Sequence, residues 1–190
     1  MSKKDLRKHA HNQRSLLNKE GRRRKSEKIC KLIEESDFFA QAKCVSCFAA
    51  FGEEVDLFPL IERYINKKSF CLPFVNNLEK GDMDMYEIDS VYNLKKNIIK
   101  IPEPDISICK KINPREIDLI IVPALLIDKN FFRMGHGRGF YDRYLPKTRA
   151  FSVAVAFSSQ IVDKIPVYPH DVSVDAVCTE NGIIIKKQFN

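Results

Sequence analysis

The sequence predicts an α/β protein with a mostly parallel sheet. Short apolar runs rich in Ile, Val and Phe alternate along the chain with longer segments of helical period. One run, residues 117–122 (I-D-L-I-I-V), is apolar enough to lie in the sheet centre, buried on both faces. A glycine-rich turn at 135–139 then separates that strand region from a helix. The 190 residues are 44% hydrophobic, which suffices for one packed domain over 1–190. Disorder is excluded as the main state, since 13 Phe and many Ile, Leu and Val cannot remain solvated.

In chain order, residues 3–17 contain no Gly or Pro and read as a helix with a thin stripe of Leu6, Ala10, Leu16 and Leu17. Lys3, Arg7 and Arg14, spaced by four and seven, share one side of it. A second helix is expected over 22–35, with Ile29, Leu32 and Ile33 inward, then a strand over 43–51. Residues 56–66 read as a helix with Asp56 as its N-cap. Strands follow at 69–75 and 83–88, the second more polar and placed towards an edge. Two prolines in Ile101-Pro102-Glu103-Pro104 argue against regular structure there. After the strand 117–122 and the glycine loop come a helix from Phe140 to about Leu145 and strands at 151–157, 175–179 and 183–186.

Thirty-two Lys and Arg against 25 Asp and Glu leave a formal charge of +7 and a pI near 9.1. That balance favours an anionic partner: nucleic acid, anionic lipid or a phosphorylated small ligand. The densest basic run, Arg22-Arg23-Arg24-Lys25, precedes an apolar-periodic stretch and reads as a solvated helix face. With no zinc-finger spacing and no aromatics among the basic residues, no specific nucleic-acid partner is expected. The best apolar stretch, 117–127, is broken by Asp118 and Pro123 and falls short of the roughly 20 residues of a membrane span. The first residues lack the apolar core of a signal peptide, so a cytoplasmic protein without membrane association is expected; a monomer is expected as well. Cys30, Cys44, Cys47, Cys71, Cys109 and Cys178 are irregularly spaced and read as reduced thiols. Cys44 and Cys47 form a C-x-x-C, but residues three apart on a strand face opposite ways.

The chemistry concentrates in Arg133-Met134-Gly135-His136-Gly137-Arg138-Gly139-Phe140-Tyr141-Asp142. Three alternating glycines let backbone N–H groups approach an anion, the helix start adds positive character, and Arg133 and Arg138 supply delocalised charge for phosphate oxygens. Neither the dinucleotide fingerprint nor the Walker pattern is matched, because position 140 is Phe and no Gly-Lys-Ser/Thr is present. Asp142 in the first helical turn repels a phosphate bound there unless a cation lies between them, which points to Mg²⁺. A second carboxylate could come from Asp128, Asp171 or Asp175. The residues themselves therefore indicate a Mg-nucleotide or sugar-phosphate site.

The run R-x-G-x-G-x-G-F-Y-D-R-Y-L, Arg133 to Leu145, resembles the signature of the 5-formyltetrahydrofolate cyclo-ligase family. Lys3-Lys4-Asp5-Leu6-Arg7, Glu54-Val55, Met83-Asp84-Met85, Glu103-Pro104, the strand 118–123, and Gln160, Pro166, Asp171 and Asp175 agree with it in order. The resemblance implies a Rossmann-like three-layer sandwich similar to the phosphosugar isomerase-like fold. It implies ATP- and Mg²⁺-dependent closure of 5-formyltetrahydrofolate, in some cases polyglutamylated, to 5,10-methenyltetrahydrofolate. By the same resemblance Lys3, Lys4, Arg7, Arg133, Gly135, His136, Gly137, Arg138, Gly139, Phe140 and Tyr141 bind ATP, with Tyr141 and Arg138 catalytic. Glu54 and Met85 bind the folate, and Asp142 and Asp175 bind magnesium.

Some positions depart from the family pattern. No glycine stands between Asp128 and Arg133, Phe140 replaces a common Tyr, His136 occupies a variable position, and Ile98-Ile99 stand where some relatives carry an aromatic. Two other readings compete with the enzyme. A folate- or nucleotide-binding protein without turnover needs no magnesium carboxylate, and nucleic-acid binding through the basic surface is marked by steep salt dependence.

Overall fold

The computed structural model describes residues 2–97 and 101–187, so Ile98 and Ile99 lie outside the described residues. The first helix, α1 (Lys3–Ser15), opens on a capping box in which the Ser2 hydroxyl accepts the Asp5 N–H and the Asp5 carboxylate accepts that of Ser2. Helix α2 (Lys19–Glu34) starts three residues before its expected position, because Asn18 accepts the Gly21 N–H at 2.7 Å. A short helix α3 (Asp37–Gln41), capped by Ser36, was not foreseen in the sequence. Asp56 does not sit at the N-cap of α4 (Phe58–Tyr64), which Leu57 occupies; it accepts the Phe58 N–H at 3.0 Å from one residue further out.

Among the described residues the main sheet has eight strands. In chain order they are β1 (Cys44–Ser46), β2 (Ser69–Asn77), β3 (Asp82–Ile88), β6 (Lys111–Ile112), β7 (Leu119–Pro123), β10 (Phe151–Val155), β12 (Ala176–Thr179) and β13 (Gly182–Ile185). Between β3 and β6 the pair β4 (Lys95–Lys96) and β5 (Pro102–Glu103) forms a small ribbon, so the proline-rich stretch does carry a ladder of two residues. The spatial order is β13-β12-β10-β7-β1-β2-β3-β6. The five strands β12-β10-β7-β1-β2 are parallel and the outer ones antiparallel. Strand β3 thus lies one place in from an edge, covered by the two residues of β6. A three-stranded sheet, β8 (Leu126–Asp128) between β9 (Arg133–Met134) and β11 (Ile161–Val162), extends beyond the end of β7.

Both faces of the sheet are covered, which makes three layers. Leu119 and Ile121 of β7 and Val153 and Val155 of β10 face one core, closed by Ile29 and Ile33 of α2 and Leu60 and Ile61 of α4. Ile120, Val122 and Ala154 face the other, closed by Tyr144 and Leu145 at the end of α5 (Phe140–Tyr144). This is the two-sided burial expected of central parallel strands. The C-x-x-C divides as its spacing predicts, with Cys47 in the first core and Cys44 in the second. All six thiols are free. Among the described residues no helix is long and apolar enough to cross a membrane.

The basic run of α2 is largely spent within the chain. Arg22 donates to the Leu17 carbonyl, Arg23 pairs with Glu20 at 2.8 Å, and Lys25 pairs with Glu180. Glu180, following β12, also accepts the Ser158 N–H at 2.8 Å and the Ser158 hydroxyl at 2.7 Å, tying α2 to the sheet. Burial works against its charge, but Lys25 and Ser158 outweigh that and hold its pKa below the usual carboxylate range. A depressed carboxylate pKa adds stability that is present above the unfolded-state value and lost as pH falls through the folded one. Glu180→Gln is therefore expected to cost about 1–2 kcal/mol at neutral pH. In denaturation curves the gap to the parent protein should close in acid; a gap that persists there would contradict the assignment.

Candidate active site

Parallel strands deliver their carboxyl ends to one edge of the sheet, and there a cavity of about 740 Å³ opens. Phe48 and Ala49 follow β1, Pro123 ends β7 with Ala124 and Leu125 after it, and Pro73 and Val75 come from the middle and far half of β2. The loop 135–139 forms another wall, and α1 contributes Lys3 and Arg7. The helix after the loop, α5, has only five residues, so side-chain cations rather than a helix dipole supply most of the positive field.

Two guanidiniums frame the loop. Arg7 Nε donates to the Gly135 carbonyl at 3.1 Å. Gly137 holds φ +100°, and a Cβ there would stand 3.1 Å from the Arg7 Cζ; only glycine tolerates that backbone and admits the guanidinium so closely. Arg133, on β9, has a side chain just 3% exposed. Its Nη2 donates to Asp142 Oδ1 at 3.1 Å, its Cζ lies 5.4 Å from the centre of the Tyr141 ring, and its Nε has no partner. Burial lowers the Arg133 pKa and Asp142 opposes that shift, yet a guanidinium remains charged. A buried cation with an unspent donor on a cavity wall suits an oxyanion. Burial raises the pKa of Tyr141, with the Glu54 charge adding to it, so its phenol stays a hydroxyl and a donor at neutral pH.

The carboxylates sit at two places. Asp142 Oδ1 also accepts the Val172 N–H at 3.3 Å, whereas Oδ2 takes no hydrogen bond among the described residues. Asp171 holds Lys3 Nζ at 2.7 Å and the Tyr168 N–H at 2.7 Å. Burial would raise its pKa, but these partners outweigh it and lower the value. On the other side Glu54 Oε2 accepts the Phe51 N–H at 3.0 Å and Oε1 lies 3.2 Å from His136 Nε2. Glu103 is a buried carboxyl on the cavity wall that accepts from Asn97 Nδ2 at 2.8 Å and the Val75 N–H at 3.3 Å; burial raises its pKa.

Most of the expected site residues line this one cavity: Lys3, Arg7, Glu54, Arg133, Gly135 to Tyr141 and Asp142. Three do not. Lys4 is exposed, one helical position and so about 100° away from Lys3. Met85 of β3 is fully buried in the second core, its Sδ 3.4 Å from the Ser46 hydroxyl; Met83, two residues earlier, lines the cavity instead. Asp175 stands at the start of β12, the opposite end of the strands from the cavity, and its carboxylate accepts the Ser152 N–H at 2.8 Å and hydroxyl at 2.6 Å. The pair Asp142–Asp175 is therefore not assembled on the cavity wall. His136, expected with the phosphate ligands, is paired with Glu54. Of the other carboxylates considered, Asp128 is buried and satisfied by the N–H groups of Asn130, Phe132 and Ile165, while Asp171 is a cavity residue. The absent glycine before Arg133 has a structural counterpart, for Phe131 takes φ +66° in that turn. Glu103, Arg143, Tyr168 and His170, which had no expected role, also line the cavity; Glu103 carried a signal in the Glu-Pro match and Arg143 in the run from Arg133 to Leu145.

Among the described residues no group of three or more His, Cys, Asp or Glu side chains forms a metal cage. The donor set nonetheless fits Mg²⁺, which takes one or two carboxylates and completes its shell with phosphate oxygens and water: Asp142 offers a free oxygen beside the cationic loop.

Fold and cavity together define an open-sheet α/β enzyme whose ligand cavity joins an anion cradle to neighbouring carboxylates. A sequence model of the 5-formyltetrahydrofolate cyclo-ligase family matches residues 1–180. The chain is 28% identical over 177 residues to the 5-formyltetrahydrofolate cyclo-ligase of Mus musculus, covering 87% of each protein. It is 30% identical over 146 residues to that of Escherichia coli (strain K12), covering 75% of this chain and 80% of the relative. The solution structure of Aquifex aeolicus 5,10-methenyltetrahydrofolate synthetase matches with a TM-score of 0.88 at 31% identity, over 100% of this chain and 95% of the other. The protein belongs to the 5-formyltetrahydrofolate cyclo-ligase family.

Proposed function

We propose that the protein converts 5-formyltetrahydrofolate to 5,10-methenyltetrahydrofolate with conversion of ATP to ADP and phosphate. A single observation supports this reading best: Arg7, Arg133, the three glycines and Asp142 line the same cavity as Glu54, so a phosphate donor and a pterin can meet there. The formyl oxygen is a poor leaving group. Transfer of the γ-phosphoryl to that oxygen, with ADP leaving, gives an iminium phosphate; N10 attacks the formyl carbon and gives up its proton, and the carbon–oxygen bond breaks as phosphate leaves with its electron pair and takes up that proton. Arg7 and Arg133 neutralise the transferring group from two sides, and the loop N–H groups orient it. The Tyr141 hydroxyl, kept protonated by burial, donates near the same oxygens. Asp142 would hold Mg²⁺ through its free oxygen, and the ion would supply charge neutralisation to the phosphates.

Glu54 accepts the adjacent N–H donors of the pterin, for which a carboxylate is a natural two-point acceptor. The balance of +7 suits ATP and a polyglutamylated folate, both anionic. Incubation with 5-formyltetrahydrofolate, ATP and Mg²⁺ should give an ATP-dependent rise in the near-ultraviolet absorbance of the methenyl product; folded protein without that signal would remove the proposal. Glu54→Gln should raise the KM for 5-formyltetrahydrofolate about tenfold by weakening charge-assisted bonds. Initial rates at saturating ATP measure it, and an unchanged KM would dissociate Glu54 from the folate.

A further inference from the structure

Behind Glu54 lies a cation that the proposed chemistry does not use. Arg14 is on α1, two helical turns beyond Arg7, and its side chain is only 4% exposed. Its Nε and Nη1 have no hydrogen-bond partner, and Nη1 lies 4.0 Å from Glu54 Oε1. Arg14 does not line the cavity. A buried guanidinium with two unsatisfied nitrogens is costly and is retained where a nearby anion compensates it. Glu54 is the carboxylate at hand, and closing 4.0 Å to hydrogen-bond range takes a movement of about 1 Å. The other group at Oε1, His136, has a side chain 46% exposed and sits on the glycine loop. Arg14 therefore forms the fixed side of Glu54 and His136 the side open to ligand.

We infer that Arg14 is a positioning residue that holds the Glu54 carboxylate in place for the folate, an inference that rests on the function proposed above. Through α1, the helix that carries Lys3 and Arg7 to the anion cradle also sets the acceptor for the second substrate.

The test compares Arg14→Gln, Arg14→Lys, Glu54→Gln and the double variant Arg14→Gln/Glu54→Gln, with folding checked by circular dichroism. Arg14→Gln should raise the KM for 5-formyltetrahydrofolate about tenfold, the loss of one bond to a charged group, while the KM for ATP changes little. Arg14→Lys should recover part of the loss, and in the Glu54→Gln background Arg14→Gln should add almost nothing. An unchanged folate KM, an equal rise in both KM values, or full multiplication of the two single effects would overturn the assignment. If Arg14→Gln does not fold, Arg14→Lys with and without Glu54→Gln makes the same comparison. If the parent protein shows no turnover, the functional reading fails, and titration of the same variants with 5-formyltetrahydrofolate decides Arg14. Weaker binding that vanishes without Glu54 supports it; equal binding, or none by the parent, overturns it.

Discussion

Asp142→Asn should lower kcat by about a thousandfold or more, the scale for removing a group that organises charge in a phosphoryl transfer. The fold should survive. Asparagine keeps an oxygen for the Arg133 Nη2 and the Val172 N–H, the two contacts that Asp142 makes within the protein. What it loses is the negative charge and the oxygen that no described residue occupies. Steady-state rates over a Mg²⁺ titration, with thermal melts of both proteins, separate these effects. A nearly normal rate at low Mg²⁺ would take Asp142 out of the metal site, and a collapsed melting temperature would make it a structural partner of Arg133 instead.

Gly81→Ala should damage the site from outside it. Gly81 turns the chain between β2 and β3 with φ +63°, and a Cβ there would stand 2.1 Å from the Arg138 carbonyl oxygen and 2.5 Å from Arg143 Nη1. The side chain of Arg143 can move, but the carbonyl belongs to the glycine loop. The substitution is expected to cost about 1 kcal/mol for the left-handed backbone and about 1–3 kcal/mol more for overpacking. The displaced loop should raise the KM for ATP about tenfold, since small misplacements of binding groups are strongly felt. Urea denaturation and ATP titration of the initial rate check both parts; parental stability together with a parental ATP KM would show that the loop does not depend on this contact.

Elements whose signal is local were legible in the sequence. The run 117–122 has no polar alternation because both of its faces are buried, and the structure puts β7 between β10 and β1 accordingly. The glycine loop announced itself by composition, and Lys3 and Arg7 by their spacing on one helix. Other features depend on distant partners that no local pattern records. Gly81 matters only because the hairpin tip meets Arg138, 57 positions further along the numbering of the chain. The sheet β11-β8-β9 consists of strands two or three residues long, below the length at which a period of two can be read. Asp175 has the residue type of a metal ligand, yet Ser152 claims its carboxylate at the far end of the strands. Arg14 shared the face of Lys3 and Arg7 by spacing, but its burial against Glu54 became visible only in three dimensions.

The foothold of α1 ties its attachment to its ligands. Leu6 and Ala10 pack into a small cluster with Leu125, Leu126, Met134 and Ile165, separate from the two large cores. Any affinity that phosphates gain through Lys3 and Arg7 is, by reciprocity, free energy added to the docking of this helix. Docking and occupancy are thus one coupled equilibrium, and the apparent dissociation constant for nucleotide carries the population of docked α1 within it.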